Sequence, residues 1–261
     1  MKKKSILPGA EPIFVEGNEI AFLFIHGFTG SPYEGKDLAL YLHKNLGLTV
    51  SVPILPGHGT SPSDLKEITW QNWYSSVRKE YFKLKAQYKH IVVCGISMGG
   101  TLALHLSSHH PVDTVISLAG AVFLKDWRLK LLPIARHLIT YNYKSKGPDI
   151  RDKNLKFQIP SYSKYPVRSI DQVLGLMRHT REDLPEVTAP ALLIHSEKDR
   201  TVHFSNLQYI YDHISSKIKK MVILNESYHV ISIDVEKKHI YNECEKFIKE
   251  ILIEKSIELY E

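Results

Sequence analysis

The 261-residue sequence predicts a mostly parallel α/β sheet covered by helices on both faces. Two observations carry that prediction. Short apolar runs with strand character alternate with stretches of helical spacing along most of the chain. One segment, from Phe123 to Asp183, breaks the alternation with helix-like spacing of its own, as an insertion into such a sheet would.

The elements follow in order. Ile20–Ile25 is an apolar run ending at His26-Gly27 and reads as a buried strand. Tyr33–Leu46 repeats Leu38, Leu42 and Leu46 at helical spacing and stops at Gly47. Leu48–Val52 is a second strand, closed by Pro53. Trp70–Tyr88 is an amphipathic helix, and Ile91–Cys94 a strand followed at once by Gly95. Gly99–His109 reads as helix, Thr114–Leu118 and Ala191–His195 as strands, Ser205–Ser215 as helix, Met221–Leu224 as strand, and Val235–Ile253 as a final amphipathic helix. In the interrupting segment, Leu131, Ile134 and Leu138 share one helical face, and Ile170–His179 forms another helix-like run. The expected organisation is therefore a core of residues 1–122 and 184–261 with a small helical cap at 123–183.

Composition narrows the class. Apolar residues make up 43% and charged residues 24%, as in an ordinary globular protein. Ala21–Ile25 is far too short to span a bilayer, and Pro8, Gly9, Glu11 and Pro12 interrupt any leader behind Lys2–Lys4. A cytoplasmic protein without a structural disulfide between Cys94 and Cys244 is expected. The net charge of +6 is uneven: Phe123–Asp183 holds 13 Lys/Arg against 6 Asp/Glu, a net +7. Such a cap suits a solvated surface, or attraction to anionic substrates and lipid surfaces. No aromatic-basic motif points to nucleic acid. No His/carboxylate set has metal-ligand spacing and no Gly-rich loop fits a nucleotide, so no cofactor is expected.

The chemistry concentrates at strand ends. Gly95-Ile96-Ser97-Met98-Gly99-Gly100 lies between a strand and a helix, so Ser97 sits on a sharp turn that lifts its hydroxyl above the sheet as a nucleophile. His26-Gly27-Phe28-Thr29-Gly30 follows the first strand. The backbone N–H groups of Phe28 and Met98 are the expected oxyanion hole, with the His26 side chain bracing the loop. His229 follows the strand Met221–Leu224 and precedes the last helix, which makes it the candidate base among fourteen histidines. The order nucleophile, acid, base then selects Asp199, with Glu197 as its rival. His58, in Pro56-Gly57-His58-Gly59, reads as a structural loop residue.

These motifs, together with Ser227-Tyr228-His229-Val230, resemble those of bacterial carboxylesterases and monoacylglycerol lipases of the α/β-hydrolase superfamily, over nearly the whole chain. The resemblance implies an α/β-hydrolase fold and hydrolysis of carboxylic esters through an acyl-enzyme formed at Ser97, beneath a cap that shapes the acyl pocket. A small ester or lipid-like molecule is the expected substrate. Monoacylglycerol lipases of this group carry an acidic cap residue for the glycerol end, and Ser163 falls near that position here. Phe123, Leu124, Trp127, Leu131, Leu132, Ile134 and Leu138 are expected to wall a pocket for short-to-medium aliphatic acyl chains. Peptidase and thioesterase activities share these motifs. A catalytically silent ligand-binding module is the alternative from outside enzymology.

Overall fold

The computed structural model describes residues 5–144 and 147–254. Seven strands form one sheet: β1 (Ile13–Val15), β2 (Ile20–Ile25), β3 (Thr49–Val52), β4 (His90–Ile96), β5 (Thr114–Leu118), β8 (Ala191–Ser196) and β9 (Lys219–Leu224), in the order β1-β3-β2-β4-β5-β8-β9. All neighbours are parallel except β1, which pairs antiparallel with β3 and covers that edge.

Because strand side chains alternate in direction, each strand feeds two cores. Ala21, Leu23 and Ile25 pack on one face with Trp73, Val77 and Tyr81 of α2 (Trp70–Lys85) and Leu102 and Leu106 of α3 (Met98–His109). Ile20, Phe22 and Phe24 pack on the other with Leu38 and Leu42 of α1 (Tyr33–Leu46) and Ile240, Cys244 and Phe247 of α7 (Lys237–Ile248). Helix ends follow local chemistry. Gly47 stops α1 in the left-handed conformation at φ 67°, its N–H donating to His43 O. Thr69 and Asn72 form a reciprocal cap at the start of α2.

The chain turns from β2 through α1 to β3 on one side, then through α2 back to β4 on the other. The crevice above the carboxyl ends of β2 and β4 lies at this reversal, where sheets of this kind bind ligands. Between β5 and β8 the chain leaves the sheet for α4 (Leu132–Leu138), α5 (Arg168–Asp183) and a two-stranded antiparallel ribbon, β6 (Tyr141–Tyr143) with β7 (Lys164–Pro166). The ribbon and β1 have no counterpart in the sequence reading, since strands of three residues are too short to show a period. A further helix, α6 (Ser205–His213), covers β8 and β9. Among the described residues no helix is long and apolar enough to cross a membrane.

Contact between β2, β4 and the start of α3 is backbone on backbone. A Cβ on Gly99 would lie 2.0 Å from Ile25 O, and one on Gly95 2.1 Å from Gly99 O. Gly99→Ala should therefore destabilise the protein by about 3 kcal/mol, which lowers Tm by about 6–12 °C in a thermal melt. An unchanged Tm would show that this contact can relax freely.

Candidate active site

Ser97 begins α3 at φ 53°, ψ −121°, a region few non-glycine residues occupy. Its N–H donates to Leu118 O (2.9 Å), and its own carbonyl accepts from Thr101 N–H (3.0 Å). This pins the turn while the hydroxyl faces a cavity of about 430 Å³.

Structure brings Ser97, His229 and Asp199 together across 132 residues of sequence. Ser97 Oγ lies 2.8 Å from His229 Nε2, and His229 Nδ1 lies 2.7 Å from Asp199 Oδ2. The carboxylate neighbour requires the proton on Nδ1, which leaves Nε2 as acceptor for the serine hydroxyl. Asp199 is fully enclosed. Oδ1 accepts from the N–H groups of Thr201 and Val202 at 2.8 Å each, and Oδ2 also faces His195 Nε2 at 3.1 Å. Burial would raise this carboxyl, but the charge of His229 and hydrogen bonds from His195 and His229 outweigh it and hold the group far below the ordinary carboxylate range. For His229, burial disfavours the imidazolium, yet Asp199, then Asp149 and Glu34, lift its pKa above 6.5. Glu197 is exposed at the strand end and is not part of this arrangement.

Two buried histidines brace the loop after β2. His26 Nε2 accepts from Leu55 N–H (3.1 Å), and burial pushes its pKa down to about 4. His58 Nε2 accepts from Thr29 N–H (3.1 Å); burial, then the charge of His26, holds it well below 6.5. Both are neutral acceptors, in agreement with the structural roles read from sequence. Phe28 and Met98 line the cavity beside Ser97.

Several groups were not visible in the sequence. Glu34 of α1 is buried, and its Oε2 accepts from Gly27 N–H at 2.8 Å, fixing the peptide just before Phe28. Lys144 reaches into the cavity and donates to Thr29 Oγ1. Burial lowers its pKa to about 8, against the opposing pull of Glu34. The Asp149 carbonyl accepts from the N–H groups of His229 (3.0 Å) and Val230 (3.1 Å), and its carboxylate pairs with Arg200, next to Asp199. Buried Asp234 accepts from the backbone N–H of Arg151, Asp152 and Tyr228. His195 packs its ring behind Asp199. Some of these contacts span most of the fold, as Lys144 to Thr29 does. Others, such as Glu34 to Gly27 and His195 to Asp199, are local but run from an element into the loop beside it. Periodicity carries no trace of either kind.

The cavity lining is mixed. Phe28, Leu124, Tyr165, Ile170, Val173 and Met177 supply apolar surface, and Glu34, Asn142, Lys144 and Ser161 supply polar groups, with Asn142 donating to the Tyr165 hydroxyl at 2.6 Å. The expected wall is corrected here. Of the seven apolar residues named from sequence only Leu124 lines the cavity. Phe123 packs against Tyr209 and Leu132 is buried elsewhere, while Trp127, Leu131, Ile134 and Leu138 are exposed. Their spacing does mark one face, and that face points to solvent.

A serine on a strained strand-to-helix turn, set at the reversal of a parallel sheet, defines an α/β-hydrolase. The family model described as serine aminopeptidase, S33, matches residues 18–236, and the chain belongs to this hydrolase family. It is 34% identical over 246 residues to a thermostable monoacylglycerol lipase of Bacillus sp. (strain H-257), covering 93% of this chain and 95% of that one. It is 24% identical to a carboxylesterase of Bacillus subtilis (strain 168), over 92% of this chain and 97% of the relative. A solved structure from work on LipS and LipT, two metagenome-derived lipolytic enzymes, superposes with a TM-score of 0.89 at 30% identity, covering 94% of this chain and all of that one.

Replacing Asp199 by Asn removes the charge that favours the imidazolium and leaves its burial. The midpoint of His229, followed by NMR titration of its ring, should lie above 6.5 in the wild type and fall in Asp199→Asn. A midpoint that does not move would show that Asp199 is not what lifts it.

Proposed function

We propose that this hydrolase cleaves carboxylic esters through Ser97, His229 and Asp199. Ser97 Oγ attacks the ester carbonyl as His229 Nε2 takes its proton, and the Phe28 and Met98 N–H groups receive the developing oxyanion. His229 returns the proton to the leaving alkoxide. Water, deprotonated by His229, then releases the acid from Ser97. Asp199 fixes the imidazole tautomer and stabilises its charged form. The observation that carries this is the unbroken chain Ser97–His229–Asp199, at 2.8 and 2.7 Å, beside a cavity that Ser97 and His229 line. Residues 123–183, which supply Leu124, Lys144, Tyr165 and Met177 to that cavity, act as a cap over a core of 1–122 and 184–261.

The apolar lining suits a short-to-medium acyl chain. The polar groups of the lining favour a second reading, a monoacylglycerol as substrate. Ser163 offers no acid, but Glu34, from α1, and Lys144 line the cavity. With p-nitrophenyl esters from acetyl to octanoyl, kcat/KM should rise by up to about fourfold per buried methylene. Ser97→Ala should lose about 10⁴-fold or more in kcat with Tm unchanged, together with labelling by a fluorophosphonate. A folded wild-type protein that never labels would favour a silent binding module, and a flat chain-length profile would remove the acyl assignment. Monoacylglycerols turned over well above alkyl esters of equal acyl length would select the lipase reading.

The cavity itself balances Arg128 and Lys144 against Glu34 and Asp149, so the positive charge of the cap lies mainly outside. There Trp127, Leu131, Ile134 and Leu138 are exposed beside Lys130 and Arg136. We infer that this face makes peripheral contact with anionic lipid surfaces. Co-sedimentation with phosphatidylserine vesicles should exceed that with neutral phosphatidylcholine vesicles and weaken in Trp127→Ser/Ile134→Ser. Equal recovery with both vesicle types, or no loss in the variant, would end this inference.

A further inference from the structure

His105 and His109 lie one turn apart on α3, so their side chains leave the same helix face. Asp183, the last residue of α5, meets them from the inserted segment. His105 Nδ1 is 2.9 Å from Asp183 Oδ2, and His109 Nε2 is 4.0 Å from the same oxygen. All three ligand atoms lie within 4.8 Å of one another. A tetrahedral ion with bonds of about 2.0–2.1 Å holds its ligand atoms about 3.3 Å apart, so these separations bracket what such an ion needs. Shifts of under about 1 Å would close the set.

The nitrogens are prepared for a cation. His109 Nδ1 lies 2.9 Å from the His105 carbonyl oxygen, so it carries the proton and leaves Nε2 bare towards Asp183. A bare imidazole nitrogen facing a carboxylate is repulsive unless a proton or a metal lies between them. His105 is only 4% exposed, and its Nδ1 lies 2.9 Å from Asp183 Oδ2 as a close ion-pair contact and not a well-formed hydrogen bond. A buried ring nitrogen whose polar neighbour is a carboxylate at contact distance, without good hydrogen-bond geometry, leaves room for a cation between them. Tyr74 and Trp70 pack edge-on against the His105 ring at 4.6 and 5.6 Å and fix its orientation.

We propose that His105 Nδ1, His109 Nε2 and Asp183 Oδ2 bind a divalent transition-metal ion of the zinc type, which clamps α3 to the end of α5. Two imidazoles and one carboxylate suit zinc or cobalt, and are too nitrogen-rich for magnesium or calcium. Water completes the coordination, or His179 does, which lies one turn before Asp183 and leans on Trp70 with ring centroids 4.9 Å apart. His105 is eight residues along α3 from Ser97, about 12 Å. The ion therefore stands outside the hydrolytic step and acts on how firmly the inserted segment is held to the nucleophile helix.

The test uses the full chain, stripped with a chelator and titrated with zinc by calorimetry and with cobalt by visible absorption. One equivalent should bind, with the intense absorption of tetrahedral cobalt. Zinc at a hundred times its Kd should raise Tm by about 5–10 °C. His109→Gln, at an exposed position, and Asp183→Asn should each weaken binding tenfold or more and abolish the Tm rise, while ester hydrolysis by the stripped protein stays within twofold of the wild type. Absence of saturable zinc binding to the wild type overturns the proposal. So does binding that is unchanged in both variants, since the ion would then sit on other histidines.

Discussion

The backbone contact between the end of β2 and the start of α3 is the constraint on which the site depends. With no Cβ at Gly99, the helix that begins at Ser97 comes close against the Ile25 carbonyl. That approach sets the loop after β2 beside a helix N-terminus, so the Phe28 and Met98 amides flank one cavity. It also leaves Ser97 at positive φ, a cost of about 1–3 kcal/mol, held by hydrogen bonds to β5 and to the first turn of α3. The strain at Ser97, its place on the cavity and the juxtaposition of Phe28 and Met98 are thus three consequences of one close approach.

The charges around this frame are buried and mutually dependent. Asp199 is tolerated inside the protein because four donors converge on it. Glu34 holds the Gly27 peptide, but a bare carboxylate there would oppose an oxyanion forming nearby. Burial raises its pKa above the ordinary carboxylate value, and the pull of Gly27 N–H, Lys144 and His229 offsets only part of that rise. Lys144, which also donates to Thr29, therefore joins the inserted segment to the loop both electrically and by a hydrogen bond. His26 and His58 do the remaining bracing as neutral rings, adding no charge to the site.

Much of this was legible in the sequence because the chemistry sits where periodic elements end. Ile20–Ile25, Tyr33–Leu46 and Thr114–Leu118 have the bounds their patterns imply, and Ser97, Asp199 and His229 each follow a strand. Glu34, Lys144, Asp149, Asp234 and His195 were not legible. Their roles come from contacts across the fold, and each looks like an ordinary polar residue in its own segment. The cluster of His105, His109 and Asp183 was missed for the same reason. Its two histidines have helical spacing, but the carboxylate arrives from a helix more than seventy residues later.

The inserted segment shows where periodicity stops being informative. Trp127, Leu131, Ile134 and Leu138 repeat at three- and four-residue steps, which establishes a shared face and nothing about what it meets. An apolar stripe covers a core only if another apolar surface is presented to it. Here the cavity side is already filled by Leu124, Tyr165, Ile170, Val173 and Met177, and Phe123 packs against the core. The stripe of α4 and the turn before it is therefore surplus to packing, and it lies among the cap's cations. A segment apolar on two faces and basic between them is costly to leave in water. That cost is the physical reason to look for its role at an interface, while the inner side contributes the residues that line the cavity.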